Sequence, residues 1–195
     1  MNVTFIASAF REEQFPPADR PEIAFAGRSN VGKSSLINTL ANRKHLAKIG
    51  ATPGKTRSVN FFLVNGRFYL VDLPGYGFAR VSADVRQSWQ RLVESYLKGR
   101  PTLKAVVLIM DIRREPTEGD LGLLSWLRHY GITPILTLTK ADKISRGQAL
   151  SRAKRVVQDM DGSMGPAIIF SAKTREGRDE IWKRIDEVIS GRVRT

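Results

Sequence analysis

Two hydrophobic periods succeed one another along this chain, and the points where one gives way to the other mark its elements. Residues 22–26 (EIAFA) form a short apolar run that ends at Gly27. From residue 33 to 40 the apolar positions return at helical spacing, with Leu36, Ile37 and Leu40 on one face. A strand, a glycine-containing loop and a helix are predicted there. Residues 43–58 hold Gly50, Pro53 and Gly54 without apolar periodicity, which predicts a long functional loop. Residues 59–64 and 67–71 are β-rich runs joined by Asn65-Gly66, the strongest short hairpin signal, so this pair is expected to be antiparallel.

After a loop over 73–80, Val85, Trp89, Leu92, Val93, Tyr96 and Leu97 keep helical spacing until Gly99-Arg100-Pro101 stops the helix. Residues 103–110 are continuously aliphatic, as in a central parallel strand buried on both faces. A third helix opens at Thr117, with Asp120 at capping-box spacing, and ends before Gly131. Residues 132–138 form the next strand, where Pro134 is tolerable only near the start. A basic helix over 150–160, a strand over 167–170 and a last helix marked by Ile181, Trp182, Ile185, Val188 and Ile189, closed by Gly191, complete the alternation. The expected architecture is α/β, three layers in the order α/β/α around a mixed, mostly parallel six-stranded sheet with one antiparallel strand. Residues 22–195 make up this single domain, with residues 1–21 as an N-terminal extension; no repeat or low-complexity linker divides it.

With 195 residues, 42% of them hydrophobic, the chain can bury one substantial core. The absence of Cys excludes disulfides and thiolate metal sites, and fits a reducing cytosol. The start has no basic flank ahead of an apolar run, and no segment approaches the roughly 18 apolar residues of a membrane span, so a soluble cytoplasmic protein without membrane contact is expected. The net charge of +13 changes the picture more. No acidic residue lies between Glu22 and Asp72, whereas Arg28, Lys33, Arg43, Lys44, Lys48, Lys55, Arg57 and Arg67 all do. Two or three cations neutralise a bound triphosphate; the remainder is either a solvated basic face or a surface for nucleic acid, and a domain this basic favours the second.

The loop Gly27-Arg28-Ser29-Asn30-Val31-Gly32-Lys33-Ser34, followed by Ser35, matches G-x-x-x-x-G-K-[ST] between a strand and a helix, the context that phosphate loop requires. Its glycines let backbone N–H groups turn onto phosphate oxygens, Lys33 would bridge the β- and γ-phosphates, and the Ser34 hydroxyl would ligate Mg²⁺. A phosphate loop does not choose between adenine and guanine. Thr139-Lys140-Ala141-Asp142 follows a strand, and the Asp142 carboxylate can accept from both N1–H and the exocyclic amine of guanine, a donor pair adenine lacks, while the Lys140 stem covers the ring. Ser171-Ala172-Lys173, after the next strand, supplies a backbone N–H for the guanine O6, and Phe170 before it joins the nucleotide-binding set. Each match is weak alone, but together, in order and at strand C-terminal ends, they point to GTP and GDP.

Asp72-Leu73-Pro74-Gly75 ends the hairpin and provides a carboxylate in the outer magnesium shell and a Gly75 N–H for the γ-phosphate. In the run Gly54, Lys55, Thr56, Arg57 and Ser58, Thr56 is the choice for the second magnesium hydroxyl, with Thr52 as its competitor. Lys33, Thr56 and Gly75 are thus the candidate catalytic groups. The loops holding Thr56 and Gly75 are the expected switches that sense the γ-phosphate.

The set GRSNVGKSS, TPGKTRSVNFF, DLPGYGFA, TKADK and FSAK resembles the EngB (YihA/YsxC-type) family of bacterial small GTPases, within the Era/EngA-like class, from about residue 21 to about residue 189. The resemblance implies a Ras-like core, Mg²⁺-dependent GTP hydrolysis, a role in late assembly of the large ribosomal subunit and a link to cell division and septation. It also covers Asp111-Ile112-Arg113-Arg114, for which a structural salt bridge is the plain reading. Tyr76 stands where Ras-type GTPases place the glutamine that orients the attacking water, so slow intrinsic hydrolysis is expected. Asn30 occupies a position that helps bind K⁺ in related GTPases; an ordinary loop residue is the alternative. The free protein is expected to be a monomer.

Two rival readings remain at this level. A nucleotide kinase would use the same phosphate loop, but no acceptor lid is evident in the sequence. An RNA-binding module in which GTP only stabilises the fold would bind RNA equally in every nucleotide state.

Overall fold

The computed structural model describes residues 1–47, 58–76, 83–160, 162 and 165–192, with the backbone alone for 83–86, 88 and 89. In chain order the elements are β1 (Val3–Ala9), β2 (Glu22–Gly27), α1 (Lys33–Ala41), β3 (Val59–Val64), β4 (Phe68–Asp72), α2 (Ala83–Gly99), β5 (Leu103–Asp111), α3 (Glu118–His129), β6 (Thr133–Thr139), α4 (Arg146–Asp159), β7 (Ile168–Ile169) and α5 (Arg178–Ile189). The strands form one sheet in the order β1-β3-β4-β2-β5-β6-β7. β3 is antiparallel to both its neighbours and the remaining pairs are parallel. The expected single antiparallel strand is therefore β3, turned by the Asn65-Gly66 hairpin, whose two residues have φ of 49° and 68°.

The sheet has seven strands where six were expected. The additional one, β1, comes from the segment read as an N-terminal extension and pairs with β3 along the sheet edge. Its burial shows why the periodicity was silent: only Val3 and Ala9 at its ends are buried, with exposed residues between. A β-bulge at Ile6 also breaks the alternation, as edge strands often do. Pro134 sits second in β6, beyond the reach of β7, which pairs only with Thr137 and Leu138, so its missing N–H costs no ladder bond.

Every position of β2 is buried. On one face α1 and α5 pack through Leu36, Ile37, Leu40, Ile181 and Ile185; on the other, Leu92, Tyr96 and Leu97 of α2 and Leu127 of α3 do so. Leu124 of α3 joins Ala149, Ala153 and Val156 of α4 over β5 and β6. Helix α4 begins at the Ser145 cap, whose side chain accepts from Gln148 N–H at 3.3 Å, one turn before the apolar signal.

One charge is sealed inside this packing. Glu22, with 0% exposure, opens β2 and accepts from the Tyr96 hydroxyl (2.7 Å), the Thr102 hydroxyl (2.9 Å) and the Arg100 guanidinium. Arg100 also donates to Pro16 O (2.9 Å) and lies over the Phe15 and Phe61 rings. Burial, then the Glu22 charge, pushes the Tyr96 phenol well above its ordinary range, so it remains a donor.

Removing one member of such a pair leaves the other charged and dry. Arg100→Ala is expected to cost about 3–5 kcal/mol, measured by urea unfolding. A loss below about 1 kcal/mol, the value of an exposed pair, would show that water reaches Glu22.

Candidate functional site

Four loops meet at the C-terminal edge of the parallel strands, the edge where open α/β sheets take their ligands. The first joins β2 to α1. Gly27 is required by close approach, since a Cβ there would lie 2.6 Å from the Ile109 carbonyl oxygen of β5. The loop then turns through positive φ at Asn30 (64°) and Gly32 (102°), and Gly32 caps α1. Alternating backbone of this kind gathers N–H groups into an anion-binding concavity at a helix N-terminus. Arg28 and Asn30 are exposed, Ser29, Ser34 and Ser35 half-buried, and Val31 buried. Lys33 is only 8% exposed and its ammonium pairs with Asp72, which is 3% exposed.

The second loop follows β4. Leu73 N–H donates to Phe25 O (3.1 Å), and then Tyr76 zips onto the first loop: its N–H donates to Gly27 O (3.3 Å) and its carbonyl accepts from Ser29 N–H (3.0 Å). Gly75 lies so close that a Cβ would come within 3.3 Å of Ser29 N. The Tyr76 side chain turns to α3, where its hydroxyl donates to Asp120 at 2.6 Å. Burial, reinforced by the Asp120 charge and hydrogen bond, pushes this phenol far up. The other Asp120 oxygen accepts from the Thr117 N–H (2.8 Å) and hydroxyl (2.6 Å), forming the cap of α3.

The third and fourth loops follow β6 and β7. The Thr139 hydroxyl spans Val31 O and Met110 O (3.0 Å to the latter), so it braces the first loop. Lys140, with φ of 62°, reaches back to Asn30 O (2.7 Å) and to the Asp111 carboxylate (3.0 Å). Ala141 N–H donates to Phe170 O (3.2 Å), and the Ser171 hydroxyl donates to Asp142 at 2.9 Å. That bond, above all, lowers the Asp142 carboxyl and keeps it an acceptor. Ser171 Oγ also accepts from Lys173 and Thr174 N–H (3.2 Å each), while Ala172 stays exposed.

Thus Gly27 to Ser35, Asp72 to Gly75, Thr139 to Asp142 and Phe170 to Ala172 occupy linked loops. Gly54, Lys55, Thr56, Arg57 and Thr52 lie outside the described residues, as does Lys48. Ser58 is buried before β3 with its hydroxyl on Asn60 Oδ1 (3.1 Å). For Mg²⁺ the donor chemistry fits: Ser34 and Asp72 offer hard oxygens. Among the described residues no three His, Cys, Asp or Glu cluster. Two positioning residues escaped the reading of the sequence. In sequence Asp120 reads as a cap and Asp111 as a salt bridge; the latter binds Arg113 (2.9 and 2.7 Å) and Lys140 together.

Comparison with known proteins matches this arrangement. Residues 22–140 fit a family model described as 50S ribosome-binding GTPase. A curated protein of Geotalea daltonii, called probable GTP-binding protein EngB, is 52% identical over 187 residues, 96% of this chain and 90% of that relative. A crystal structure of a probable GTP-binding protein engB superposes with a TM-score of 0.67 at 27% identity, over 87% of this chain and 99% of that one. Era in complex with MgGDPNP and a 16S ribosomal RNA segment superposes at 0.70 with 19% identity, over 87% of this chain and 56% of Era, a likeness of fold. No helix of the described residues is long and apolar enough to cross a membrane.

Asp111 makes a pH signature. Burial acts to raise its carboxyl, but hydrogen bonds from Arg113 and Lys140 outweigh burial and hold it well below the usual carboxylate range. A depressed folded pKa gives stability that is present above the unfolded value of about 3.9 and is lost as pH falls towards the folded one. Asp111→Asn should therefore cost about 1–2 kcal/mol at pH 7, with the gap to the parent narrowing below about pH 4. Urea unfolding across that range measures it, and a gap independent of pH would contradict the pairing.

Proposed function

This chain belongs to the EngB family of GTP-binding proteins and is a GTP-hydrolysing enzyme, and we propose that it acts as a nucleotide-controlled switch in assembly of the large ribosomal subunit. The observation that carries the reading is the contact of four loops at one sheet edge. Lys33 and Asp72 link the phosphate loop to the turn after β4, while Thr139 and Lys140 link it to the loop that would read the base.

In this reading the loop from Gly27 to Ser35 holds the phosphates, Lys33 turning from Asp72 to the β- and γ-oxygens. Mg²⁺, held by Ser34 and Thr56 with Asp72 behind them, would neutralise charge that builds on the phosphates during hydrolysis. Gly75 N–H orients the γ-phosphate. Asp142, kept ionised and aimed by Ser171, accepts from both guanine donors; Lys140, held by Asp111 and Asn30, lies along the ring; Ala172 offers its N–H to O6. Ser58, Leu73, Pro74, Thr139, Ala141 and Phe170 complete the nucleotide-binding set, to which the sequence motif adds Gly54, Lys55 and Arg57. Tyr76 points its hydroxyl at Asp120 and not at an attacking water, which supports slow intrinsic turnover completed by K⁺ at Asn30 or by the partner. Membership of the family also carries a link to cell division and septation into this reading.

Guanine selection is tested at one residue. Asp142→Asn should lose GTP affinity by about 2 kcal/mol or more and gain xanthine nucleotides, whose donor and acceptor are exchanged. Calorimetric titration with both nucleotides checks this, and unaltered GTP binding in a folded variant would move the base site elsewhere.

The partner is tested by state. Affinity for large-subunit precursor particles should be higher with a non-hydrolysable GTP analogue than with GDP, and should weaken steeply as salt rises. Sedimentation with purified particles decides it. Equal affinity in both states would leave the GTPase without the switch.

A further inference from the structure

We propose that the groove between the sheet-edge strand β1 and the turn after α1 binds a single-stranded RNA segment, with one base stacked on Phe5 and its phosphates on Arg43 and Lys44. The groove, about 440 Å³, is lined by Phe5, Arg43, Lys44, His45 and Leu46. It lies outside the linked nucleotide loops and contains no acidic residue. Both chain segments that build it are acid-free, residues 1–11 and 23–71.

Three features of the fold prepare this surface. The β-bulge at Ile6 breaks the inward-outward alternation of β1 and leaves Phe5 at 51% exposure and Ile6 at 40% on the protein's edge. Phe62, itself 2% exposed, meets the Phe5 ring edge-on at 5.8 Å and 60°, which steadies the ring while half of it stays open. On the opposite wall the buried Asn38 of α1 clamps the turn: its amide donates to Lys44 O (3.3 Å) and Ala47 O (2.9 Å), its side-chain oxygen accepts from Ala47 N–H (2.7 Å), and its carbonyl accepts from Arg43 N–H (2.9 Å). Arg43, Lys44 and His45 stand exposed on this clamped backbone, and Arg43 and Lys44 make no ion pair among the described residues.

A steadied aromatic face beside unpaired cations is the combination that holds unpaired nucleotides, the ring taking a base and the cations its phosphates. A duplex offers phosphates but keeps its bases stacked inside, so Phe5 gives the surface a preference for single strands. A second groove, at Phe10, Arg11 and Arg91, includes Glu12 and lacks this uniform charge. In sequence the turn runs directly into residues 48–57, which hold the candidate first switch.

The inference rests on the ribosomal reading for the source of the RNA, and its test is independent of particles. The probe is a labelled oligouridylate of about ten nucleotides, followed by fluorescence anisotropy and compared with an RNA duplex of equal length. Phe5→Ala should weaken the single strand about tenfold and the duplex little, with guanine-nucleotide affinity unchanged as the control for folding. Phe5→Trp should retain binding, and its added fluorescence should be quenched by the stacked base. Arg43→Ala with Lys44→Ala should weaken binding and flatten its logarithmic salt slope by about 1.4. Full single-strand affinity in Phe5→Ala, or equal loss for strand and duplex, would overturn the proposal. Phe5-dependent binding to anionic phosphatidylglycerol vesicles in place of RNA would do so too. If the parent protein ignores large-subunit particles yet shows the Phe5-dependent oligonucleotide binding, the ribosomal reading fails and the groove stands.

Discussion

A carboxylate without water sets the geometry of this fold. Glu22 is wholly buried at the foot of β2, and an ion there is tolerable only because Arg100, Tyr96 and Thr102 all donate to it. Those donors come from the end of α2 and the approach to β5, while Arg100 also grips the N-terminal segment at Pro16. One charge thereby fixes where four stretches of chain cross. At the other end of the same strand Gly27 opens the phosphate loop, so the site at one end of β2 is aimed by a network at the other.

At the site itself, much of the polar chemistry is directed inward. Thr139 and Lys140 tie the loop after β6 to the first loop, Lys140 ties it to Asp111 and Asp142 to Ser171, and Asp120 ties α3 to the turn after β4. Non-glycine positive φ at Asn30 and Lys140 adds strain that only such cross-bracing maintains. Preorganisation of this kind spares a ligand the entropy of assembling its own pocket.

Most of this arrangement was legible in the residues. The hairpin at Asn65-Gly66, the capping box at Thr117 and the aliphatic run of β5 each follow from local rules, and the structure agrees with them. The edge strand β1 was not legible, because it buries only its ends and its bulge disrupts the period of two by which strands are recognised. The partners of Tyr76 and Asp111 were hidden for another reason. Asp120 lies 44 residues from Tyr76 in sequence, and the contact exists only because the turn after β4 comes to the first turn of α3. Motifs name which residues face a ligand; long-range contacts decide which residues hold them.

The Tyr76 to Asp120 bond gives the turn after β4 a threshold. A charge-assisted hydrogen bond in a site with little water is worth about 1.5–3 kcal/mol, several times the thermal energy of about 0.6 kcal/mol. Ordinary fluctuation therefore seldom frees Tyr76, and burial with the Asp120 charge holds its phenol well above the ordinary range, so it stays a donor. What frees it has to be a binding event of comparable strength. The turn then behaves as a noise filter, silent to small disturbances and yielding as a unit to a large one.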